Sequence, residues 1–355
     1  MKPRRIGVVM GGASAEREIS MSSGRAVTQA LLEADHDVVP VLLGEGVDPL
    51  QALSEAQMDV AFLALHGRLG EDGCVQGMLE WLGIPYTGSS VLASALAMDK
   101  QKAKELFRLH NVPTPPYYVL DRASVVDLEE VHGSFGFPVV VKPRREGSSL
   151  GVSIARNESE LARAAEIALT YDQHALVERH ITGREVHVGI LGDRVLGAIE
   201  VAPRSGFFDY AAKYTPGETE YFMPARLSGA RYRGVLNLAE RAAQALDTEG
   251  AVRVDLIVTE GQNEYVLEVN TLPGLTPTSL LPKIAAAAGF TFGDLCEAIL
   301  ERARLHTASE LRSGPQSSAF SLPQEGELDA ETETELEEVQ VVARRGSRGA
   351  TARAR

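Results

Sequence analysis

Three oxygen-bearing side chains follow one another on two short apolar segments, Asp255 in "RVDLIV" and Glu268 and Asn270 in "LEVNTLPG". Both segments read as strands joined by a short polar turn, so Asp255 and Glu268 are expected on neighbouring strands of one sheet. Glu268 and Asn270 are two residues apart and therefore face the same way. Buried carboxylates are costly unless they are paired or bound to a metal, and Mg²⁺ prefers hard oxygen ligands. The set predicts a magnesium site, and Arg253 on the same strand face adds a cation for a developing oxyanion; taken singly, the acids would read as ordinary strand-end residues.

A second candidate is the turn "KPRREGSSLGV", residues 142–152, which stands between two predicted strands. Free backbone N–H groups of a Gly-Ser-rich turn can fold onto phosphate oxygens as an anion-binding nest. Lys142 at the end of the preceding strand could reach the same phosphates. A polar hairpin tip without a ligand is the common alternative. The two most frequent nucleotide motifs, G-x-x-x-x-G-K-[ST] and G-x-G-x-x-G, do not occur in the chain.

Two further polar residues follow predicted strands of the N-terminal region. Glu16 lies just after the glycine turn of the first strand, and His66 lies just after the third. Ligands of open α/β sheets gather at the carboxyl ends of the strands, so both residues are expected to line one crevice. Glu16 could equally be a first-turn acid on a helix dipole, and His66 a capping or core histidine.

These residues require a mixed α/β scaffold. Residues 4–95 alternate apolar runs with helical patterns, which predicts a parallel sheet with crossover helices. The predicted strands are Ile6–Met10, Val38–Leu43 and Val60–Leu65, and the helices cover about 22–34 and 73–82.

The region from about 115 to 200 is predicted to be antiparallel sheet with a helix over 158–169. Its strands are Tyr117–Leu120, Val139–Lys142, Val152–Ile154, Ala175–Glu178, Glu185–Leu191 and Val195–Val201. A loop over 202–225 has no clear period and is long enough to be a functional cover. After it we predict a helix over 229–246, the strand pair "AVRVDLIVTE" and "NEYVLEVN", and helices over 278–288 and 291–305.

Composition excludes several classes of protein. The chain has 355 residues, a formal charge of -14 and only two cysteines. The negative charge disfavours nucleic-acid or anionic-membrane binding, and no apolar run approaches the roughly 18 residues of a membrane span. Cys74 and Cys296 are far apart, which argues against a disulfide framework or zinc site and favours the cytoplasm. "RRIGVVMGG" reads as a buried strand rather than a secretion signal. Residues 313–355 are first rich in acids and then rich in arginine, and this composition predicts a disordered tail.

Several ordered blocks together resemble a known family. "GGASAEREIS", "ALHGRLGEDGCVQGMLEWLGIPYTGS", "VKPRREGSSLGVS", "AAKYTPGETEY", "VRVDLIV" and "LEVNTLPGLTPTSLLP" are similar to the D-alanine:D-alanine ligases of the ATP-grasp superfamily, over about residues 4–305. The resemblance implies three domains: an N-terminal α/β substrate domain (1–100) and two ATP-grasp subdomains (101–200 and 201–312) that hold ATP between their sheets. It implies ATP-dependent ligation of two D-alanine molecules through a D-alanyl phosphate, and a homodimer.

The resemblance also implies roles for individual residues. Two Mg²⁺ ions, with Mn²⁺ as an alternative, would be held by Asp255, Glu268 and Asn270. The ATP site would comprise Lys100, Lys142, Glu146, Ser148, Ser149, Glu178, Ile181, Glu185 and Phe207. His180 stands where relatives can stack a large aromatic on adenine, so that contact is not expected here.

For the amino-acid substrates, the resemblance implies that Glu16 binds the first ammonium, helped by a hydrogen-bond link between Ser148 and Tyr214. Arg253 would bind the carboxyl being activated. His66, Lys213, Gly274, Ser279 and Leu280 would complete the substrate site. The alternatives are a ligase that makes D-alanyl-D-lactate or D-alanyl-D-serine, and a non-catalytic ATP-grasp sensor; a nicotinamide dehydrogenase lacks its glycine fingerprint.

Overall fold

The first strand of the chain is the centre of a three-stranded parallel sheet. The fold is taken from a computed structural model that describes residues 5–123, 125, 127–204, 217–261 and 263–307. Strand β1 (Arg5–Gly11) pairs with β2 (Asp37–Leu43) on one side and with β3 (Val60–Leu63) on the other. The chain crosses over through α1 (Arg17–Glu33) and α2 (Pro49–Glu55). Both pairings are parallel, which confirms the predicted N-terminal parallel sheet.

Three consecutive helices lead away from this sheet. They are α3 (Cys74–Leu82), α4 (Val91–Met98) and α5 (Lys100–Leu109). The sequence predicted only the first of them, because α4 is apolar almost all round and α5 buries two lysines. The Asp99 side chain accepts a hydrogen bond from the backbone of Lys102 and so caps the start of α5.

The central part of the chain forms a four-stranded antiparallel sheet in the order β4-β7-β5-β6. The strands are β4 (Tyr117–Asp121), β5 (Val139–Pro143), β6 (Ser153–Ala155) and β7 (His174–Arg179), with α6 (Leu128–His132) and α7 (Glu158–Tyr171) between them. Alternation decides the two faces: Val139 and Val141 pack under α7 with Val177, whereas Val140 and Lys142 point to the opposite face.

The second antiparallel sheet has five strands in the order β10-β9-β8-β11-β12. They are β8 (Arg184–Leu191), β9 (Arg194–Pro203), β10 (Thr219–Phe222), β11 (Ala251–Val258) and β12 (Glu264–Asn270), with the helices α8 (Gly229–Ala245), α9 (Leu280–Ala287) and α10 (Phe292–Leu300). The even-numbered side chains of β8 and β11, such as Val188 and Val254, pack against α8. The odd-numbered ones, including His187 and Asp255, therefore face away from α8.

Two expectations from the sequence need correction. The six strands predicted for the single region 115–200 divide between two sheets, because β8 and β9 pair with β11 and β10 rather than with β7. The predicted loop 202–225 also contains a strand, since β10 pairs with β9. The three predicted domain boundaries stay predictions. Residues 205–216 and 308–355, which include the predicted tail, lie outside the described residues.

Two smaller predictions concern the cysteines and membrane association. Cys74 and Cys296 are both free thiols, in agreement with the absence of a predicted disulfide framework. None of the described helices combines the length and the apolar character that a membrane span requires.

Candidate active site between two sheets

A cavity of about 720 Å³ lies between the two antiparallel sheets. The four-stranded sheet contributes Val140, Lys142 and Glu178, and the five-stranded sheet contributes Glu185, Asp255 and Glu268. These are the faces that the helices α7 and α8 leave uncovered. The size is typical of a site for a small molecule, and the walls combine apolar side chains with a few convergent charges.

One wall of the cavity carries the predicted acidic pair. Asp255 and Glu268 are direct neighbours in the β11–β12 ladder, as expected from the sequence. Asp255 is only 4% exposed. Arg253 binds it through two hydrogen bonds of 2.8 and 2.9 Å, and Asn270 donates to it at 3.1 Å. The structure therefore brings together the four residues that the sequence singled out on these two strands.

A buried histidine completes the surroundings of Asp255. The Nδ1 atom of His187, on the adjacent strand β8, lies 2.7 Å from the Asp255 carboxylate. Burial alone would raise the pKa of Asp255, but Arg253 and His187 outweigh it and hold that pKa well below its usual range. Asp255 is consequently an anion whose orientation is set from two strands.

The acidic pair fits a divalent cation on chemical grounds. Two carboxylates directly opposite each other in a ladder repel unless cations lie between or beside them. Within the described residues, no cluster of three or more His, Cys, Asp or Glu side chains could hold a metal by itself. Asp255, Glu268 and the Asn270 amide supply three hard ligands, so an ion here would take its remaining oxygens from water and phosphate, as Mg²⁺ commonly does.

The opposite wall holds a second buried carboxylate between two lysines. Lys142 lies 2.7 Å from one oxygen of Glu178, and Lys104 lies 2.7 Å from the other. Desolvation would raise the pKa of Glu178, but the two ammonium groups outweigh it and lower that pKa. Burial in turn lowers the pKa of Lys104 to about 8, although Glu178 opposes this. Lys142, one of the two lysines that the sequence assigned to the phosphates of ATP, is thus held at the cavity wall by Glu178.

Lys100 joins the acidic pair to the Gly-Ser turn. Its ammonium donates to the backbone carbonyl of Glu146 at 2.6 Å and lies 3.2 Å from the Glu268 carboxylate. Burial would lower the pKa of Lys100, but Glu268 more than compensates and the pKa is raised. Lys100 therefore remains charged at the point where the turn meets the five-stranded sheet.

The turn itself approaches Glu16 closely. The Ser148 hydroxyl donates a hydrogen bond to the Glu16 carboxylate. A Cβ atom on Gly147 would lie 2.6 Å from the other carboxylate oxygen, so a side chain at this position would force the Glu16 carboxylate to shift. Ser148 and Ser149 both adopt positive φ angles, 48° and 58°, which bend the turn toward Glu16. The contact between Ser148 and Glu16 was not predicted, and the predicted link between Ser148 and Tyr214 involves a residue outside the described ones.

His66 ties three segments together beneath Glu16. Its Nδ1 atom lies 3.1 Å from the carbonyl oxygen of Leu272, which can only accept, so Nδ1 carries a proton. The Nε2 atom lies 3.1 Å from the Ser23 hydroxyl. Ser23 also accepts a hydrogen bond from the backbone of Leu275. His66 is therefore held by α1 and by the segment after β12.

The segment 272–280 ends at the start of α9. Ser279 is the residue before the first turn, and its hydroxyl contacts Thr276 at 2.7 Å. A Cβ atom on Gly274 would lie 2.9 Å from the Ser279 hydroxyl, so the segment is folded tightly against this helix start. Leu280 is buried as the first residue of α9. Phe207, Lys213 and Tyr214, which the sequence also assigned to the site, lie outside the described residues.

Some site residues were missed by the sequence reasoning. Lys104 and His187 are buried beside the acids described above, and Glu200 lines the cavity while binding Arg226 at 2.6 Å. Two signals in the sequence could have identified Lys104 and Glu200. Lys100 and Lys104 occupy the apolar positions of a helical pattern completed by Ala103 and Phe107. Glu200 interrupts the apolar strand "VLGAIEVA", where a lone acid needs a partner.

Two family models match the chain. Residues 47–89 match the model described as D-ala D-ala ligase N-terminus, and residues 106–301 match D-ala D-ala ligase C-terminus. The D-alanine–D-alanine ligase of Geotalea uraniireducens is 53% identical over 308 residues, which cover 86% of this chain and 97% of the relative.

Solved structures of similar proteins share the fold. The D-alanine–D-alanine ligase of Bacillus anthracis, complexed with ATP, superposes with a TM-score of 0.74 at 35% identity, covering 84% of this chain and 97% of that one. The VanG D-Ala:D-Ser ligase of Enterococcus faecalis gives a TM-score of 0.74 at 29% identity, covering 84% and 99%. The second similarity bears on the acceptor substrate, which differs between these two enzymes.

The buried Glu178 gives a prediction about stability. Replacing Glu178 with Gln leaves Lys104 and Lys142 without their counter-charge, and we expect the free energy of unfolding to fall by about 3 kcal/mol at pH 7. Because the folded pKa of Glu178 is lowered, its contribution is complete above the ordinary value of 4.5 and is lost as the pH falls further. The difference from wild type should therefore narrow below about pH 4.5 in urea denaturation. The exposed Glu166→Gln change on α7 is the control, and an equal effect of both changes would contradict the ion pairing.

Proposed function

Because the chain belongs to the D-alanine–D-alanine ligase family, we propose that it joins two D-alanine molecules at the expense of ATP, giving D-alanyl-D-alanine, ADP and phosphate. This dipeptide is used in peptidoglycan synthesis. The observation that carries the proposal is Lys100, which contacts the backbone of the Gly-Ser turn at Glu146 and the Glu268 carboxylate of the acidic pair. In the proposed site, Lys100 therefore lies between the turn that would bind the phosphates and the acids that would bind the metal.

ATP is proposed to occupy the cavity between the sheets. Lys100 and Lys142 would contact its phosphates, together with the backbone of the turn at Glu146, Ser148 and Ser149. The strand end and linker over 178–185 line the cavity, and Glu178, Ile181 and Glu185 would hold adenine and ribose. Phe207 is proposed to belong to the same site.

Asp255, Glu268 and Asn270 are proposed to hold the divalent cations, Mg²⁺ or Mn²⁺. When bound, such ions would neutralise the phosphate oxygens of ATP. The chain prepares this chemistry itself: Arg253 and His187 keep Asp255 ionised, and Lys100 keeps its own charge beside Glu268. Asp255 is therefore anionic and oriented before any ion arrives.

The first step activates one D-alanine. We propose that Glu16, fixed by Ser148, binds the ammonium group of this substrate. A carboxylate oxygen of the substrate attacks the γ-phosphorus of ATP, the bond to the β–γ bridging oxygen breaks, and ADP leaves with an acyl phosphate remaining. Two anionic groups approach each other in this step, and Lys100 and Lys142 lower its barrier by offsetting their charge.

The second step forms the peptide bond. The second D-alanine loses a proton from its ammonium group, and the free amine attacks the carbonyl carbon of the acyl phosphate. Arg253 would stabilise the oxyanion of the tetrahedral intermediate, since Asp255 holds its guanidinium in one orientation. Phosphate then leaves. The carboxylate of the second D-alanine is proposed to bind near Ser279 and Leu280 at the start of α9, with Gly274 and Lys213 nearby.

The proposal is tested by the dependence of phosphate release on substrate. We expect ATP to release phosphate only when D-alanine is added, and mass spectrometry to identify D-alanyl-D-alanine as the product. Parallel reactions with D-alanine plus D-serine or D-lactate decide among the acceptors. A dominant mixed product would replace the proposed acceptor, and ATP binding without any D-alanine-dependent turnover would identify a non-catalytic sensor.

Arg253 supplies a second prediction. Changing Arg253 to Ala should lower kcat at least about a hundredfold, the usual loss when one oxyanion donor is removed. Arg253→Lys keeps the charge but not the bidentate grip on Asp255, and we expect it to lie between the alanine variant and wild type. Steady-state kinetics measure both, and unfolding midpoints show whether each variant is folded. Near-normal turnover of a folded Arg253→Ala protein would refute the role.

We also propose that the enzyme is a homodimer. Two large apolar side chains are exposed on neighbouring helices, Trp81 of α3 at 92% and Leu92 of α4 at 68%. Exposed apolar surface of this kind commonly marks an interface. Light scattering should give twice the mass of one chain, and Trp81→Glu should reduce it to the mass of one chain while Trp81→Phe does not. A monomeric wild-type protein would overturn the dimer, and a Trp81→Glu dimer would move the interface elsewhere.

A further inference from the structure

Lys104 is fully buried, with 0% of its surface exposed, and the reaction described above does not use it. It lies on α5, one turn after Lys100, on the helix face that also buries Ala103 and Phe107. An ammonium group is costly to bury, so a lysine at this position requires partners. Its partners include the Glu178 carboxylate, at 2.7 Å, and the Thr114 hydroxyl, and its ammonium lies 5.8 Å from the centre of the Tyr117 ring.

The two oxygens of Glu178 are divided between two lysines. Lys104 lies 2.7 Å from Oε1, and Lys142 lies 2.7 Å from Oε2. Such a division fixes both the charge and the plane of the carboxylate, because rotation about its last bond would lengthen both contacts. Lys142 and Glu178 line the cavity, whereas Lys104 is not among the described residues that line it. Lys104 therefore stands behind Glu178 as seen from the cavity.

A bound nucleotide would change which cations remain beside the Glu178 carboxylate. Phosphate oxygens compete with Glu178 for Lys142, so Glu178 depends more strongly on its other cation once ATP is present. Without Lys104, either Lys142 would stay on Glu178 or the carboxylate would remain buried with no counter-charge beside it. Both outcomes weaken nucleotide binding.

From this geometry we propose that Lys104 is a positioning residue for ATP: it holds Glu178 ionised and oriented at the cavity wall and thereby frees Lys142 for the phosphates. The inference rests on the proposed function, because it takes ATP as the occupant of the cavity. It adds a residue that acts on the nucleotide through Glu178 and does not touch it.

Isothermal titration of MgATP, without D-alanine, tests the role. We expect Lys104→Met to raise the Kd for ATP by about tenfold to a hundredfold, the usual loss for a hydrogen bond to a charged group. Lys102→Met changes the same residue type two positions away on the exposed side of α5 and should leave the Kd unchanged. In steady-state kinetics, Lys104→Met should raise the KM for ATP and leave the KM for D-alanine within about twofold.

A double variant distinguishes positioning from a purely structural role. If Lys104 acts through Glu178, adding Lys104→Met to Glu178→Gln should weaken ATP binding by less than twofold beyond the single Glu178→Gln change, by the logic of a double-mutant cycle. Independent, additive losses would overturn the proposal. So would an unchanged Kd for Lys104→Met, or equal increases in both KM values.

Two further results keep the test decisive. If Lys104→Met does not fold, Thr114→Val removes only the hydroxyl that contacts Lys104 and should still raise the Kd for ATP severalfold; an unchanged Kd there overturns the proposal. If the wild-type protein itself fails to bind MgATP, the proposed function fails, and the inference about Lys104 fails with it. Normal ATP binding by both wild type and Lys104→Met refutes the inference alone.

Discussion

The constraint on which the site depends is the pairing of buried charges across two sheets. Glu178 on the four-stranded sheet and Glu268 on the five-stranded sheet both face the cavity. Each binds a lysine of the same helix, because α5 directs Lys104 to Glu178 and Lys100 to Glu268. Residues four apart lie on one helix face, so one turn of α5 connects the acids of both sheets. The separation of the sheets, and with it the cavity, is coupled to this helix.

Such pairing contributes more to the electrostatics of the site than to the stability of the fold. Replacing a buried ion pair with apolar residues is often neutral for stability, since the attraction scarcely exceeds the cost of removing both ions from water. What pairing provides is orientation of charges in a site of low dielectric, before a ligand arrives. Asp255 shows this best: its bonds to Arg253 and His187 fix an anion whose protonation would require an unusually low pH.

The sequence predicted the layers and strands well, but not how the sheets divide. The short polar turn predicted that β11 and β12 are neighbours in one sheet, and the structure adds that Asp255 lies directly opposite Glu268. Whether β8 pairs with β7 or β11 is not local: strands of similar apolar pattern can pair with several neighbours, and the choice follows from packing against α8. For the same reason the residues behind the site were missed. Lys104 and His187 contact acids that are distant in the sequence, so their roles can be recognised only in the folded structure.

The Gly-Ser turn joins the proposed sites for two substrates in one short segment. Three consecutive residues contact different parts of the site: the carbonyl of Glu146 accepts from Lys100, Gly147 lies against Glu16, and Ser148 donates to Glu16. A side chain at Gly147 would displace the Glu16 carboxylate, and the positive φ of Ser148 is needed to turn its hydroxyl back toward it. The conformation of the turn that is proposed to contact phosphate also holds the proposed ammonium ligand, Glu16. In the proposed function, nucleotide binding and orientation of the first amino acid would therefore be coupled through the backbone of this turn.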